Sequence, residues 1–302
     1  MLVAGGSGGG RAGAGWTRFA PAPTGYLHLG HVANAIFVWG LAASNGSQVL
    51  MRIEDHDRER SRPDYDAAIV EDLGWLGFEP DAGPVRQADD PDPYRLAADH
   101  LRAAELVYAC DCSRSTFATW AAANGGPWRR PGCPGRCRER ELPDEAWLTV
   151  RVALGDGVES WVDRILGPQS GAVATGGDLP IRDRQGNWTY AFCVVVDDLR
   201  QDISLVVRGE DLASATAAQI RLAGALGRAE PPVFAHHPLI RKPGGAKLSK
   251  ADGDSGVRDL RAAGQRAGDV VGQAALAVGL LGEPRAINAR EVGALFALRA
   301  SG

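Results

Sequence analysis

The chain has 302 residues, 45% of them hydrophobic and 23% charged, with a net charge of −4 and a pI near 5.9. That balance describes a globular protein with a substantial core, and it excludes a surface coated in basic charge for indiscriminate nucleic-acid binding. No apolar run approaches the roughly 20 residues of a membrane span, and the start, MLVAGGSGGGRAGAG, lacks the apolar stretch of a signal peptide.

Residues 1–15 read as a disordered Gly-rich tail; Gly8, Gly10 and Gly13 satisfy GxGxxG there, but with no preceding strand the match is compositional. Ordered sequence begins at Trp16. Residues 17–20 predict a strand ending at the turn Pro21-Ala22-Pro23-Thr24-Gly25, Gly30–Ala43 a helix, Gln48–Ile53 a strand and Tyr65–Leu76 a helix. That alternation predicts a parallel sheet with crossovers, of which 16–107 form the first half. From 108 to 190 the chain changes character, with four cysteines, many prolines and glycines and short strand-like pieces such as 148–154, and it reads as an inserted subdomain. Ala191–Asp197 and Ile203–Arg208 read as resumed strands, Ser214–Leu226 as a helix and Val233–Ile240 as a buried run, so that 191–240 complete the sheet. The remainder, 241–302, reads as a loop followed by short Ala/Leu/Val-rich helices. Nothing in it has the look of a heptad seam, so a monomer is expected.

Three segments carry chemistry. In Thr24-Gly25-Tyr26-Leu27-His28-Leu29-Gly30-His31 a strand turns into a helix, whose N-terminus offers unpaired N–H groups and a positive dipole end to an anion; Gly30 lets a phosphate approach between two histidines. The second segment is RKPGGAKLSK, which holds Lys242, Lys247 and Lys250, the only lysines among 33 basic Lys and Arg residues. Ammonium and guanidinium are not equivalent, and a chain that keeps lysine at one Gly-rich loop needs a mobile point charge there. The third is the set Cys110, Cys112, Cys133 and Cys137, two close pairs without an export signal, which suits a structural Zn2+ in a reducing cytoplasm better than disulfides. Cys193, in the apolar run AFCVVV, reads as core. Arg129, Arg130, Arg136, Arg138 and Arg140 read as a solvated face or a local RNA-contacting surface.

HLGH and KLSK resemble the two signature motifs of class I aminoacyl-tRNA synthetases. RFAPAPTG from Arg18, Arg52-Ile53-Glu54-Asp55 and Arg208-Gly209-Glu210-Asp211-Leu212 resemble the glutamyl branch, and the resemblance runs from residue 17 to about 282. It implies an α/β fold with a Rossmann-type parallel-sheet catalytic domain, an inserted zinc-bearing subdomain and a short helical C-terminal portion. It also implies activation of L-glutamate by ATP with Mg2+. By resemblance His28, Gly30, His31, Lys247 and Lys250 serve ATP and its phosphates. Arg18 with the following Phe19, Ala20, Pro21 and Ala22, together with Glu54, Tyr190 and Arg208, serves glutamate. Arg208 is assigned to the side-chain carboxylate, Glu54 to the α-ammonium and Tyr190 to an added hydroxyl; the plain alternative for Arg208 is a salt bridge to Glu210 or Asp211. Some relatives carry tyrosine where this chain has Cys133.

Only 52 residues follow Lys250 (302 − 250), fewer than an anticodon-reading domain needs. In this, and in Ala251 after KLSK, the chain resembles the truncated glutamyl-queuosine tRNA(Asp) synthetases, which implies glutamate activation without tRNA and transfer to queuosine in the anticodon arm of tRNA(Asp). His31 departs from that group, in which serine is frequent at this place. The alternatives are a minimal synthetase charging tRNA(Glu) and a non-catalytic RNA-binding paralogue.

Overall fold

The computed structural model describes residues 15–123, 133, 135–143, 145, 147–174, 177–240 and 256–297. The lysine motif, Arg129, Arg130 and nearly all of the Gly-rich tail lie outside them.

Three parallel strands open the chain: β1 (Trp16–Phe19), β2 (Gln48–Ile53) and β3 (Ala82–Arg86), in the order β1-β2-β3. Between β1 and β2 runs α1 (Leu29–Asn45), and between β2 and β3 runs α2 (Pro63–Leu76). Helix α1 begins at His28 in an extended conformation and stops at Gly46, whose φ of 75° is the left-handed conformation that glycine adopts without strain. After α3 (Asp92–Ala103) come β4 (Val107–Cys110), α4 (Arg114–Ala123), β5 (Thr149–Val152), the hairpin β6 (Val158–Asp163) and β7 (Gly167–Ala172), and β8 (Leu179–Arg182). Then follow α5 (Tyr190–Arg200), β9 (Leu205–Gly209), α6 (Thr216–Ala225), β10 (Val233–His237) and three C-terminal helices, α7 (Val257–Ala262), α8 (Ala267–Ala277) and α9 (Ala294–Ala297).

Strand β9 pairs in parallel with β10, and β10 with β6. A parallel bridge from Trp16 to Ile203, with the Ser204 N–H donating to the Trp16 carbonyl at 2.9 Å, sets β9 beside β1. The resulting order, β3-β2-β1-β9-β10-β6-β7, runs outward from β1 in one direction and then from β9 in the other. The crevice at the carboxyl ends of β1 and β9 is therefore the topological switch point, where open α/β sheets bind ligands.

The stretch 108–190 divides. Strands β4, β5 and β8 make a separate antiparallel sheet packed against α3 and α5, whereas the β6–β7 hairpin belongs to the main sheet. One expectation is overturned: Ala191–Asp197 is not a strand but most of α5. The run is rich in β-branched residues, but it lies in the core between two layers, with Phe192 to Asp198 all buried, and a short apolar run buried all round carries no period to separate strand from helix.

Period-two alternation sorts the strand side chains. Phe19, Val49, Met51, Ile53, Leu205, Val207 and Ala235 join the core beneath α1, while Leu50, Val206 and Phe234 face the other way, against α6. Helices α8 and α9 pack on α1 and close that core. Burying a side chain such as Ile36 or Leu41 there contributes about 1.5–3 kcal/mol.

Candidate active site

The same alternation puts Arg18, Arg52, Arg208 and His236 on the α5–α6 side, opposite the large apolar core. Glu54, one residue beyond β2, continues that face, and its N–H donates to the Pro21 carbonyl at 3.0 Å, tying the end of β2 to the turn after β1. Arg18 donates from Nε to Asp198 Oδ1 at 3.0 Å and from a terminal nitrogen to the Val207 carbonyl at 3.0 Å. Arg52 reaches the same Asp198 oxygen at 2.9 Å, Gln201 at 2.8 Å and Glu54 Oε1 at 3.1 Å. These charges are nearly all out of water, so each shapes the others. Burial pushes Asp198 up, but Arg18 and Arg52 outweigh it and hold the carboxyl below its ordinary value. For Glu54 burial wins over the same two arginines, and its pKa is raised.

Arg208, 4% exposed, donates Nε to His236 Nε2 at 3.0 Å and its terminal nitrogens to Gln219 Oε1 at 2.6 Å and Thr216 Oγ1 at 2.8 Å. Its guanidinium also lies 5.3 Å over the Phe234 ring. All these partners are neutral, and among the described residues Arg208 forms no salt bridge, so the pairing with Glu210 or Asp211 is absent there. Burial pulls its pKa down, opposed chiefly by Tyr190. Tyr190, at the start of α5, is pushed up to about 12 by burial and by Glu54, against the pull of Arg208 and Arg18. The fold thus gathers Arg18, Glu54, Tyr190 and Arg208 in one electrostatic neighbourhood. A buried cation held by neutral groups, with a carboxylate and a phenol nearby, is chemically suited to a zwitterion that carries an extra carboxylate.

Phe19 sends its ring to the α1 side, 5.5 Å from Trp39, so that position offers the crevice backbone only. Pro21 is buried, and Ala20 and Ala22 are partly exposed along the same turn.

His28 and His31 frame the N-terminus of α1. His28 Nδ1 accepts from the Gly30 N–H at 3.0 Å, and His31 Nδ1 accepts from the His28 N–H at 3.1 Å; the ring centroids are 4.0 Å apart. With Nδ1 as acceptor, each imidazole in its neutral form carries its proton on Nε2. A Cβ on Gly30 would stand 2.8 Å from the His28 ring, so glycine is required for that arrangement. The chain leaves the described residues after Ile240, following β10, and re-enters at Gly256, which bridges to His28; the Val257 N–H then donates to the Leu27 carbonyl at 2.8 Å. Lys242, Lys247 and Lys250 fall between those two points.

The sulfurs of Cys110, Cys112, Cys133 and Cys137 lie within 4.8 Å of one another, and all four residues are buried. Zinc–thiolate bonds of ~2.3 Å in a tetrahedron put sulfurs ~3.8 Å apart, so the cluster has the size and donor set of a structural metal site. A hydrogen bond from Cys110 pulls Cys133 down to about 4, while burial pushes Cys112 up to about 11. A bound cation would let all four ionise. Basic residues surround the cluster: Arg136 lies 3.9 Å from the Cys112 sulfur and Arg140 3.7 Å from that of Cys137, and Arg184 donates to the Asp111 and Cys112 carbonyls. Arg138 grips Asp178 bidentately, and the Asp178 N–H donates to the Cys133 carbonyl at 2.8 Å. Of the arginine run, Arg136, Arg138 and Arg140 therefore hold this module together.

The sequence pattern marked Arg52 only as part of a motif, with no role, and gave no place in the site to Asp198, Gln219 and His236. Polar residues set in apolar runs, His236 in Val233–Ile240 and Asp198 after AFCVVV, were the available signal.

Residues 16–268 match the family described as tRNA synthetases class I (E and Q), catalytic domain. A glutamyl-Q tRNA(Asp) synthetase of Symbiobacterium thermophilum is 38% identical over 93% of this chain and 92% of its own length. A glutamate–tRNA ligase of Acidithiobacillus ferrooxidans is 40% identical over 82% of this chain, but the chain spans only 53% of that protein. Among solved structures, a glutamate tRNA ligase of Elizabethkingia meningosepticum in complex with its amino acid superposes with a TM-score of 0.72 at 27% identity, covering 92% of this chain and 63% of the other. The chain belongs to the class I tRNA synthetases of the E and Q type, and within them to the glutamyl-Q tRNA(Asp) synthetases.

Proposed function

We propose that the protein activates L-glutamate with ATP in the absence of tRNA and transfers the glutamyl group to queuosine in the anticodon of tRNA(Asp). The observation that carries the reading is Arg208, a buried guanidinium with neutral partners, beside Arg18, Glu54 and Tyr190 at the switch point of the sheet. It suits the side-chain carboxylate, Glu54 suits the α-ammonium and the Tyr190 hydroxyl adds a hydrogen bond.

The substrate α-carboxylate attacks the α-phosphorus of ATP, an oxygen–phosphorus bond forms, and the bond to pyrophosphate breaks. Such a transfer depends on positioning and charge neutralisation. The Nε2–H groups of His28 and His31 and the backbone N–H groups at the start of α1 are suited to the phosphates. Lys250 and Lys247 are assigned to the departing pyrophosphate by their motif, and Mg2+ by the family's chemistry. In the cysteine cluster Cys110, Cys112, Cys133 and Cys137 would hold Zn2+, which supplies structural cross-linking. The reading assigns the protein to the cytoplasm; no described helix is long and apolar enough to cross a membrane.

ATP–pyrophosphate exchange with glutamate is measured without tRNA, followed by transfer to queuosine-containing tRNA(Asp) and to tRNA(Glu). Exchange without tRNA and transfer to the first RNA alone are expected. Charging of tRNA(Glu) would make the protein a minimal glutamyl-tRNA synthetase, and no exchange under any condition would remove the catalytic reading.

A further inference from the structure

Strands β6, β10 and β9 lie side by side, with Phe234 opposite Asp163 and His236 opposite Arg208. Across them runs a buried polar chain. Asp163 Oδ2 lies 2.5 Å from His236 Nδ1, with both side chains fully buried. The other Asp163 oxygen accepts from the Ile165 and Leu166 N–H groups at 2.9 Å each, in the turn of the β6–β7 hairpin, and the His236 backbone N–H lies 3.3 Å from both oxygens. The carboxylate can only accept, so Nδ1 of His236 carries the proton and Nε2 presents a lone pair. That lone pair receives Arg208 Nε–H at 3.0 Å.

We propose that Asp163 and His236 are positioning residues for glutamate selection: the carboxylate fixes the imidazole tautomer, and the imidazole fixes the Nε end of Arg208, so that its terminal nitrogens are presented to the substrate carboxylate in one orientation. The inference rests on the reading of Arg208 given above. The arrangement has two supports beyond the Asp163–His236–Arg208 chain. Phe234 lies beneath the guanidinium and stacks at 9° to the His236 ring, with centroids 5.9 Å apart. Thr216 and Gln219 hold the terminal nitrogens from α6, so the Nε acceptor from β10 is the element that ties Arg208 to the sheet. A flexible arginine binds a carboxylate less selectively than one held at Nε, because ordering it opposes binding.

Three substitutions separate positioning from simple support of the fold. In Asp163→Asn the amide can donate to Nδ1, which moves the imidazole proton to Nε2, where it opposes Arg208 Nε–H. His236→Ala removes the acceptor, and His236→Gln restores a carbonyl acceptor near the place of Nε2. In glutamate-dependent exchange by the full chain, Asp163→Asn and His236→Ala are expected to raise KM for glutamate about 10- to 100-fold, with KM for ATP changed less than about 3-fold. Preference for glutamate over glutamine should fall by about tenfold in kcat/KM, and His236→Gln should recover most of both losses. Glutamate KM at the wild-type value in Asp163→Asn and His236→Ala, parallel rises for glutamate and ATP, or His236→Gln as impaired as His236→Ala each overturns the proposal. Should His236→Ala not fold, Asp163→Asn decides: a selective rise in glutamate KM supports the proposal and a wild-type KM overturns it. A wild-type protein inactive with glutamate would instead sink the proposed function.

Discussion

The crevice and the cysteine module are both crowded with charge, yet they are stabilised in opposite ways. In the crevice, Arg18 and Arg52 are neutralised by Asp198 and Glu54, and the strands that carry them are fixed by the large core under α1. Side chains are thus oriented before any ligand arrives, and Arg208, held by neutral groups, forms no salt bridge among the described residues. The module has a small apolar cluster, the four cysteines with Phe117 and half-buried Tyr108, too little to fix its geometry by burial. What it has instead is four sulfurs within 4.8 Å of one another, the donor set of a structural metal site, with arginines arrayed around them. One region is preorganised by packing, the other has the donor set to be ordered by a metal, and on that reading they should fail separately.

The largest test of that contrast is Arg208→Gln, which removes the unpaired cation while keeping polar contacts. It should lower kcat/KM for glutamate in exchange by about 10³-fold, since a buried charge-assisted pair is lost, with the melting temperature unchanged or raised. A glutamate-activating variant would break the assignment. Next, His28→Ala should reduce kcat of exchange by about 10²-fold with little change in KM for glutamate, as expected of donors that act on developing phosphate charge; Lys250→Ala should behave in the same way. A parallel rise in glutamate KM would place the histidine on the amino acid side instead.

Cys110→Ser or chelation should release one metal equivalent by elemental analysis and lower glutamyl transfer to RNA about tenfold, while tRNA-independent exchange falls by less than about 3-fold. Equal losses in both steps would show that the two regions are coupled. The smallest effect concerns Glu54. Its pKa is raised by burial, and a neutral carboxyl does not hold an ammonium, so glutamate affinity is retained above that pKa and lost as pH falls through it. KM for glutamate should rise by about 3-fold as the pH is lowered from neutrality towards the carboxylate range, and a KM that stays flat would remove the effect.

Much of the site was legible because its motifs are local. HLGH can be read as a helix start from the spacing of two histidines around a glycine, and α1 does begin there with both rings capping its backbone. CDC and CPGRC were likewise readable as one cluster, for paired thiols in a short span have few other uses. Ala191–Asp197 was misread as a strand because burial on all sides erases the period that distinguishes helix from strand. The β6–β7 hairpin gave no sign that it would pair with β10, a contact between segments some 70 residues apart.

The sequence by itself determined which residues could do the chemistry, because anion-binding turns, thiol pairs and arginine-containing strand ends are set by spacings of a few residues. Tertiary structure alone decided which of them meet. Arg18, Arg52, Glu54, Arg208 and His236 come from distant strands, and they share one face only because the register of a parallel sheet fixes the side on which every alternate side chain emerges. Asp163 enters that set through the pairing of β6 with β10, and Asp198 through the packing of α5 against the sheet. Register and layer packing are settled by burial summed over the whole chain, a quantity that no short segment carries.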